Sequence, residues 1–505
     1  MTRLPFRAGD GRRARRRARA IEERRTPSRR TRFRGTPSRG GRRTCAAVAA
    51  VLLPVLVAGT ACSSGGDDGG GTGAQNAADP LFPRLGNGGY DVGHYALRLD
   101  YDVESRRLDG TAVVTAEATQ DLRGFSLDLS GLKVRKVTVD GRKAEVRRER
   151  NKLVVRPARE IGKGATFRTA VDYHGRPRTL TDPDGSTEGW VPTDDGAFVV
   201  GEPAGAMTWF PVNNHPSDKA TYDVRITVPR GWTAVSNGEL HDERTRAGRT
   251  TFVWRSAEPM ASYLATATIG KFEVDRSRTK SGLPLYVAVD PREAAKSRKP
   301  LATIPDVLEW ETKVFGPYPF SSSGALVEHK PKGVDYALEI QTKPAYPEAP
   351  DRSTVVHEMA HEWFGNSVTP KTWRDMWLNE GFATYAEWLW HEQHGGDSAQ
   401  KTFDALYAKD ADEGLWAFPP GDPGKAENIS GDPVYERAAM ALHQLRLTVG
   451  ERDFFRLLKE WTSAYRHRNA DAADFIAFCE KLTGRDLGGL FRTWIYEDGR
   501  PKKAR

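Results

Sequence analysis

The segment STVVHEMAHEWFG, residues 353–365, decides how the rest of the chain is interpreted. Its apolar spacing predicts a helix, and residues four apart lie on one face of a helix. His357 and His361 are therefore placed to bind the same Zn²⁺. Glu358 lies one step round the helix, where it can accept a proton from the attacking water instead of binding the metal.

A third metal ligand is predicted on a second helix. Catalytic zinc usually has three protein ligands and an open fourth position. The segment WLNEGFATY, residues 377–385, supplies Glu380, with 18 residues between it and His361. That gap fits a helix, a loop and a returning helix. An unpaired carboxylate inside this aromatic and apolar run would be costly, so the sequence predicts one Zn²⁺ per chain with Glu380 as a ligand.

These motifs resemble the zinc aminopeptidases of the aminopeptidase N and leukotriene hydrolase family, within the gluzincins. The resemblance covers the chain from about Tyr90 to the C-terminus. It implies a saddle-like β domain followed by a thermolysin-like catalytic domain. The segments that carry it are FPVNNHPSDKATYDVRITVP (210–229), EPMASYLATATIGKFEV (258–274), FGPYPF (315–320), HEMAHEWFGNSVT (357–369), WLNEGFATYAEWLW (377–390) and VYERAAMALHQLR (434–446).

The resemblance also implies roles for individual residues. Glu358 matches the general base, and Tyr435 matches the tyrosine that hydrogen-bonds the tetrahedral intermediate, a suitable way to stabilise an oxyanion. Glu387 lies seven residues after Glu380 on the same helical face. It either orients a ligand histidine or is an exposed helix glutamate. The residues that match zinc ligands are His357, His361 and Glu380.

Two further glutamates match positions that hold the α-amine of the substrate. Ala337-Leu338-Glu339 corresponds to the Ala-Met-Glu core of the family's Gly-Ala-Met-Glu-Asn strand. Tyr336 replaces the glycine of that strand, and Ile340 replaces its asparagine. Glu202 aligns with the acidic or amide position that the β domain contributes. Two carboxylates would neutralise an ammonium group and fix the substrate by its first residue.

The pattern of apolar residues divides the chain into two folded parts. From Tyr90 to about Gly270 apolar and polar residues alternate, and Asp140-Gly141 is typical of a hairpin turn. An antiparallel β domain is therefore predicted over 90–270. After a strand-like stretch at 283–289, helical patterns predominate, which predicts a mainly helical catalytic domain over 271–505 and an α+β multidomain fold class. The predicted helices are 351–366, 374–394, 400–411, 434–449, 451–466 and 470–483.

The N-terminal part has a different character. Residues 1–44 hold 17 of the 76 Lys and Arg and 3 of the 67 Asp and Glu, a net charge of +14. Since the whole chain carries +9, the other 461 residues carry −5. A basic tail can indicate nucleic-acid binding, but an apolar stretch at 45–61 follows it at once. A basic segment before a short apolar one is typical of a signal peptide, and nucleic acid is not an expected partner.

Cys62 directly follows this apolar stretch, and a Gly-, Ser- and Asp-rich segment comes next. Small residues before a cysteine resemble a bacterial lipoprotein signal, so Cys62 is the predicted lipidation site. Residues 62–89 are the predicted flexible spacer. The protein is then expected to be exported, with a lipid anchor on the outer face of the cell membrane. An uncleaved anchor helix and ordinary secretion remain alternatives.

The predicted function is a zinc aminopeptidase that acts on peptides with a free N-terminus. The chain ends at Arg505 without room for the C-terminal helical domain of longer family members, which favours a more open site. A secreted gluzincin endopeptidase is therefore one alternative. A non-catalytic lipoprotein with the same fold is another. With 38% hydrophobic residues and no run of twenty apolar residues, the chain is not a polytopic membrane protein.

Overall fold

The computed structural model describes residues 71–411 and 414–502. The predicted signal segment at 45–61 and the predicted lipidation site Cys62 lie outside these ranges. Within them, every helix is too short or too polar to span a bilayer.

Strands dominate the chain before residue 271, as the alternation of apolar residues predicts. In β2, for example, Tyr95, Leu97, Leu99 and Tyr101 are all buried, because every second side chain of a strand points to the same face. The strands are β1 (Gly71–Thr72), β2 (Tyr90–Asp102), β3 (Arg107–Ala118), β4 (Leu122–Asp128), β5 (Lys133–Val139), β6 (Arg142–Lys143), β7 (Glu145–Glu149), β8 (Lys152–Arg156), β9 (Thr166–Gly175), β10 (Thr179–Thr181), β11 (Thr187–Pro192), β12 (Ala197–Val200), β13 (Lys219–Pro229), β14 (Thr233–Ser236), β15 (Glu239–Arg246), β16 (Arg249–Ala261) and β17 (Ala267–Gly270).

These strands form a large sheet and two smaller ones within the described residues. The large sheet has the strand order β15-β16-β13-β2-β3-β9-β5-β6, and the smaller ones have the orders β10-β11-β12-β17-β14 and β1-β4-β8-β7. Most neighbours are antiparallel, as predicted, but β2 pairs in parallel with β13 and β1 pairs in parallel with β4. The large sheet is therefore mixed, because β13 joins the central β2 from a distant part of the chain, and the sheet that contains β1 is mixed too. All neighbours in the β10-β11-β12-β17-β14 sheet are antiparallel.

Helices predominate after residue 271, around a small sheet of order β18-β19-β20-β21. The fold class predicted from the sequence is thus confirmed. The remaining strands are β18 (Glu273–Arg278), β19 (Pro284–Val289), β20 (Ser323–Val327), β21 (Ala345–Tyr346), β22 (Thr369–Pro370) and β23 (Asn469–Ala470). The helices are α1 (Pro291–Leu301), α2 (Ile304–Phe315), α3 (Arg352–Ala360), α4 (Trp377–Gln393), α5 (Ala399–Tyr407), α6 (Ala438–Val449), α7 (Glu451–Ala464), α8 (Ala472–Thr483) and α9 (Gly488–Phe491).

The sequence prediction missed α1 and α2. The side chain of Asp290 caps α1 by accepting a hydrogen bond from Arg292 N at 2.8 Å, and Pro291 occupies the first helical position. An aspartate followed by proline is a helix-start signal that apolar periodicity alone does not detect. The predicted helix at 434–449 begins instead as a π-helical turn, Pro433–Arg437, which leads into α6.

Residues 71–89, predicted as part of the flexible spacer, pack against the rest of the described chain. Asp79 is 1% exposed, accepts a hydrogen bond from Trp373 N at 2.9 Å and lies 3.3 Å from His215 Nε2. The buried Asn87 donates to Asp128 at 2.9 Å. Within the predicted spacer, Asp79 and Asn87 are thus held in buried hydrogen bonds that composition does not reveal.

Candidate metal centre and active site

The helix that carries the two histidines starts with a cap and ends in a tight turn. Asp351 accepts a hydrogen bond from Thr354 N at 2.8 Å, which fixes the start of α3. His357 lies within α3, and His361 directly follows its last residue. Gly365 then adopts a φ of +120°, where an added Cβ would lie 3.1 Å from Asn379 Nδ2. A larger residue at Gly365 would be strained and would crowd the neighbouring α4.

The structure brings His357, His361 and Glu380 together. Oε2 of Glu380 lies 3.2 Å from Nε2 of His357 and 3.5 Å from Nε2 of His361. One potential ligand atom from each residue lies within 4.8 Å of the others. Two imidazole nitrogens and one carboxylate oxygen are the donor set typical of catalytic zinc sites.

The other ring nitrogen of each histidine has its own partner. Nδ1 of His357 lies 2.8 Å from Oε1 of Glu387, and Nδ1 of His361 lies 3.0 Å from the carbonyl oxygen of Phe364. The second carboxylate oxygen of Glu387 accepts a hydrogen bond from the Ser353 hydroxyl. These contacts direct both Nε2 atoms towards Glu380, as in sites where an outer partner orients a metal ligand.

The carboxyl groups of Glu358 and Glu380 differ sharply in pKa. Burial raises the pKa of Glu358 to about 7, although the neighbouring His357 and His361 lower it. Burial also acts to raise the pKa of Glu380, but the charge of His361 and the hydrogen bonds of both imidazoles outweigh it, so its pKa lies below the usual range. Glu380 is thus held as an anion, whereas Glu358 can exchange a proton near neutral pH.

Glu339 lies close to His361 and Glu358. It is 2% exposed, and one of its carboxylate oxygens lies within 4.8 Å of both a Glu358 oxygen and a ring nitrogen of His361. Its Oε1 atom is buried, and no residue in the described part of the chain donates a hydrogen bond to it. Burial, reinforced by the charge of Glu380, raises the pKa of Glu339 although His361 opposes this effect. The carboxylate therefore faces the site without a cation of its own.

Tyr435 borders the site from the π-helical turn before α6. Its ring stacks on that of His357, with centroids 6.2 Å apart and an angle of 14° between the planes. Gly381 makes this approach possible, because a Cβ at that position would lie 2.5 Å from the Cβ of Ala438. The glycine after Glu380 therefore allows α4 to pack closely against the segment that carries Tyr435.

The structure adds a residue that the sequence interpretation missed. Tyr263 is 1% exposed, and its hydroxyl lies 3.5 Å from Nδ2 of Asn379. Burial raises the pKa of the Tyr263 phenol, and the charge of Glu339 raises it further. Glu202, 6% exposed, and Glu380 act in the same direction. Tyr263 thus lies among three carboxylates, two of them the predicted amine-binding pair, although no spacing rule links it to α3.

The β domain also fixes the chain that follows α3. Lys219 of β13 donates from Nζ to the carbonyl oxygens of Asn366 and Ser367 at 3.0 and 2.8 Å. The side chain of Asn366 in turn donates to the carbonyl of Glu339 at 2.8 Å. Residues from three separate parts of the chain therefore hold His361 and Glu339 in fixed relative positions.

Comparison with known families agrees with this geometry. The model described as "Peptidase family M1 domain" matches residues 340–494, and the one described as "Peptidase M1 N-terminal domain" matches residues 92–264. The chain belongs to peptidase family M1. The match covers both the strand-rich part and the helices that carry the candidate site, and the resemblance to aminopeptidase N-type gluzincins is confirmed.

Relatives with assigned names are longer than this chain. Probable aminopeptidase 2 of Sulfurisphaera tokodaii is 26% identical over 326 residues, which is 59% of this chain and 40% of that protein. Leucyl aminopeptidase of Saccharolobus solfataricus is 24% identical over 81% of this chain and 54% of its own length. The chain thus spans about half the length of the curated relatives it matches.

Solved structures of similar length also match. An M1 zinc metallopeptidase from Deinococcus radiodurans is 29% identical, with 85% of this chain and 98% of that chain covered and a TM-score of 0.78. A mutant of the Deinococcus enzyme bound to a Tyr-Ser-Ala substrate is 28% identical, with 85% and 99% covered and a TM-score of 0.78. The two-part fold of this chain therefore corresponds to almost the whole of that enzyme.

Proposed function

We propose that this protein is a zinc aminopeptidase that removes N-terminal residues from peptides. The observation that carries the proposal is the convergence of His357, His361 and Glu380 beside the buried Glu358. Membership of family M1 supports it, and so do the aminopeptidase names of the relatives. The metallopeptidase structures that match 98–99% of their own length support the same activity for a chain of this size.

The donor set fits one Zn²⁺. His357 and His361 offer Nε2 atoms because their Nδ1 atoms are engaged elsewhere, and Glu380 offers a carboxylate held as an anion. Three ligands leave a position for water or substrate, as catalytic zinc requires. When bound, Zn²⁺ supplies Lewis acidity that polarises a peptide carbonyl and makes a water molecule a stronger nucleophile at neutral pH.

Proton transfer falls to Glu358 in this proposal. Its carboxylate accepts the proton of the attacking water and then delivers it to the nitrogen of the leaving amine. A pKa near neutrality suits both steps, because the group must first accept the proton and then release it. Tyr435, beside His357, is proposed to donate a hydrogen bond to the oxygen of the carbonyl under attack.

Glu339 and Glu202 are proposed to bind the α-ammonium of the substrate. Both are buried near Tyr263, and Glu339 has a carboxylate oxygen without a partner that a substrate ammonium would satisfy. Since one Glu339 oxygen lies within 4.8 Å of one Glu358 oxygen, the ammonium binds close to the general base. The first peptide bond is then the one that reaches the attacking water.

The test compares peptides that differ only at the N-terminus. We expect the purified protein to carry one zinc per chain and to release single residues from the free N-terminus of a peptide. The same peptide with an acetylated N-terminus should be cut much more slowly. Glu358→Gln, purified in the same way, should be inactive, which would exclude a contaminating peptidase. If the acetylated peptide is cleaved internally as efficiently as the free peptide is cleaved, the protein is an endopeptidase and this proposal is wrong.

We also propose that the protein is exported and anchored to the outer face of the cell membrane through a lipid on Cys62. The support is the sequence alone: small residues before the cysteine and a polar tether after it. Several acyl chains anchor a protein stably, whereas one anchors it weakly. Cys62→Ser should move the protein from the membrane fraction to the soluble fraction. If the variant stays membrane-bound with the 45–61 segment attached, that segment is a signal anchor.

A further inference from the structure

We infer that Asp195, Asp290 and Glu328 form a second cation site, separate from the zinc ligands, that binds one Ca²⁺. One carboxylate oxygen from each residue lies within 4.8 Å of the others, and Asp290 and Glu328 are buried. Nothing in the proposed peptidase mechanism uses these residues. The inference therefore stands or fails independently of the proposed function.

The strand register brings two of the carboxylates together. β19 and β20 are parallel neighbours whose last residues, Val289 and Val327, are paired. Asp290 and Glu328 come directly after them, at the same end of the sheet, and Asp290 N donates to the carbonyl oxygen of Val327 at 2.8 Å. The backbone thus holds two acidic side chains at adjacent positions, although like charges in such proximity repel.

Asp195 reaches the same point from the β domain, in the turn between β11 and β12. Its carbonyl oxygen accepts a hydrogen bond from Trp232 Nε1 at 2.5 Å, and its Oδ2 atom accepts one from Lys271 N at 2.8 Å. These contacts leave its Oδ1 atom buried without a partner. The turn is therefore held in place, and one carboxylate oxygen of Asp195 lies within 4.8 Å of an oxygen of Asp290 and one of Glu328.

Glu328 provides the observation that points to a ligand. It is 0% exposed, and its Oε1 atom accepts a hydrogen bond from His329 N at 2.9 Å. Its Oε2 atom is buried and has no hydrogen-bond partner among the described residues. A buried acceptor without a partner is costly. A cation bound between Glu328 and the two aspartates removes that cost for the free oxygens of both Glu328 and Asp195.

Arg292, the cationic side chain beside these carboxylates, donates no hydrogen bond to the free oxygens of Glu328 and Asp195. Arg292 donates to Asp290 at 2.9 and 2.7 Å and to Asp194 at 2.9 Å. One guanidinium among four carboxylates leaves a net negative charge, and its hydrogen bonds do not extend to Asp195 or Glu328 in the contacts of the described chain.

The donor atoms select the kind of cation. The cluster offers carboxylate oxygens, and the neighbouring His329 is engaged at Nδ1 by Glu293 at 2.6 Å. Oxygen ligands without nitrogen or sulfur favour a hard cation over zinc. Two Ca²⁺–oxygen bonds of about 2.3–2.6 Å span a separation of roughly 5 Å, which accommodates the 4.8 Å limit of the cluster. A bound Ca²⁺ would join the β11–β12 turn to the sheet of the catalytic part.

The first experiment measures thermal stability of the zinc-loaded protein with and without calcium. The protein is passed over chelating resin, reloaded with zinc and melted at zero and millimolar Ca²⁺. Since a ligand that binds only the folded state stabilises it, we expect Tm to rise by about 2 °C or more. Glu328→Gln should abolish the rise, whereas Glu311→Gln, which changes an equally buried glutamate on α2, should retain it.

The second experiment identifies the place of binding. Tb³⁺ replaces Ca²⁺ at oxygen sites and emits when a nearby indole is excited, and Trp232 contacts Asp195 directly. We expect Tb³⁺ emission that added Ca²⁺ abolishes and that is absent in Asp195→Asn and Glu328→Gln. Trp232→Phe should reduce the emission but keep the Ca²⁺-dependent rise in Tm. If the unchanged protein shows neither a rise in Tm nor displaceable emission, the inference is overturned, and a proton on Glu328 links the carboxylates instead.

Discussion

Glu380 and Glu339 are both buried glutamates close to His361, yet their surroundings differ. Glu380 contacts both imidazoles at 3.2 and 3.5 Å, and its pKa lies below the usual range despite its burial. Glu339 has an oxygen without a partner, and its pKa is raised by burial. Glu380 thus lies against two imidazoles, whereas Glu339 has an oxygen to which no described residue donates a hydrogen bond.

In the proposed function, this difference separates a metal ligand, Glu380, from a substrate-binding group, Glu339. A ligand must hold its geometry before the substrate arrives, and Oε2 of Glu380 already lies beside the two Nε2 atoms that would share the zinc with it. A group that binds an ammonium must be paired only when the substrate is present, because a permanent partner would compete with it. The predictions below test that division, starting from the largest expected effect.

The first prediction concerns zinc content. Glu380→Gln removes an anionic ligand, so zinc should fall from about one per chain towards zero and hydrolysis should be lost. Glu339→Gln should keep the full zinc content. Metal analysis of the purified Glu380→Gln and Glu339→Gln proteins measures the contrast. His391→Ala, which changes an exposed histidine on α4, is the control. Equal zinc loss in both glutamate variants would contradict the division.

The second prediction concerns the general base. Glu358→Gln should keep zinc but lower kcat/KM by about 10²–10⁴-fold, because the amide cannot accept a proton. Since Glu358 must be ionised to act, kcat/KM should fall as the pH drops below its pKa. Burial raises that pKa to about 7 against the opposing charge of His357 and His361. A bound Zn²⁺ would also oppose the rise, so the acid limb should lie at or below pH 7. Activity that is constant down to pH 4 would exclude this role.

The third prediction concerns the substrate amine. A charge-assisted hydrogen bond contributes about 1.5–3 kcal/mol, so Glu339→Gln should lower kcat/KM on a free-amine substrate by roughly 10- to 150-fold. The same substitution should change the slow cleavage of the acetylated substrate far less. Glu311→Gln is the matched control, because it changes a buried glutamate on α2 and leaves both predicted amine-binding carboxylates in place. An equal loss on the two substrates would show that Glu339 supports the fold and does not bind the amine.

The two sides of this comparison were not equally predictable from the sequence. His357 and His361 lie four residues apart on one helix, so a local rule places them on the same face. Glu380 follows after a short connection, in a run too apolar for an unpaired carboxylate. For Glu339 and Glu202 the sequence offered only resemblance to a family, because they come from separate parts of the chain and lie near Tyr263 only through tertiary packing.

Other features had no signal in the sequence. Tyr263 reaches the site from the β domain, and its meeting with Asn379 depends on how β16 ends relative to α4. The buried contacts of Asp79 and Asn87 make an ordered segment out of a stretch whose composition predicted a spacer. Asp195, Asp290 and Glu328 meet because β19 and β20 are parallel, a pairing that apolar alternation does not determine. Long-range pairing decides each of these cases.

The fourth prediction concerns the smallest effect, that of the residue behind a ligand. Oε1 of Glu387 lies 2.8 Å from Nδ1 of His357, and Oε2 of Glu387 accepts a hydrogen bond from the Ser353 hydroxyl. Glu387→Gln keeps the size of the side chain but removes the charge that makes His357 a better donor. Zinc affinity should therefore fall by about 10-fold, which is the lower end of the range for residues that hydrogen-bond a metal ligand. Competition with a zinc chelator measures this. Ser353→Ala, which disturbs Glu387 without touching His357, should weaken zinc binding less, and wild-type affinity in Glu387→Gln would show that the contact does not tune the ligand.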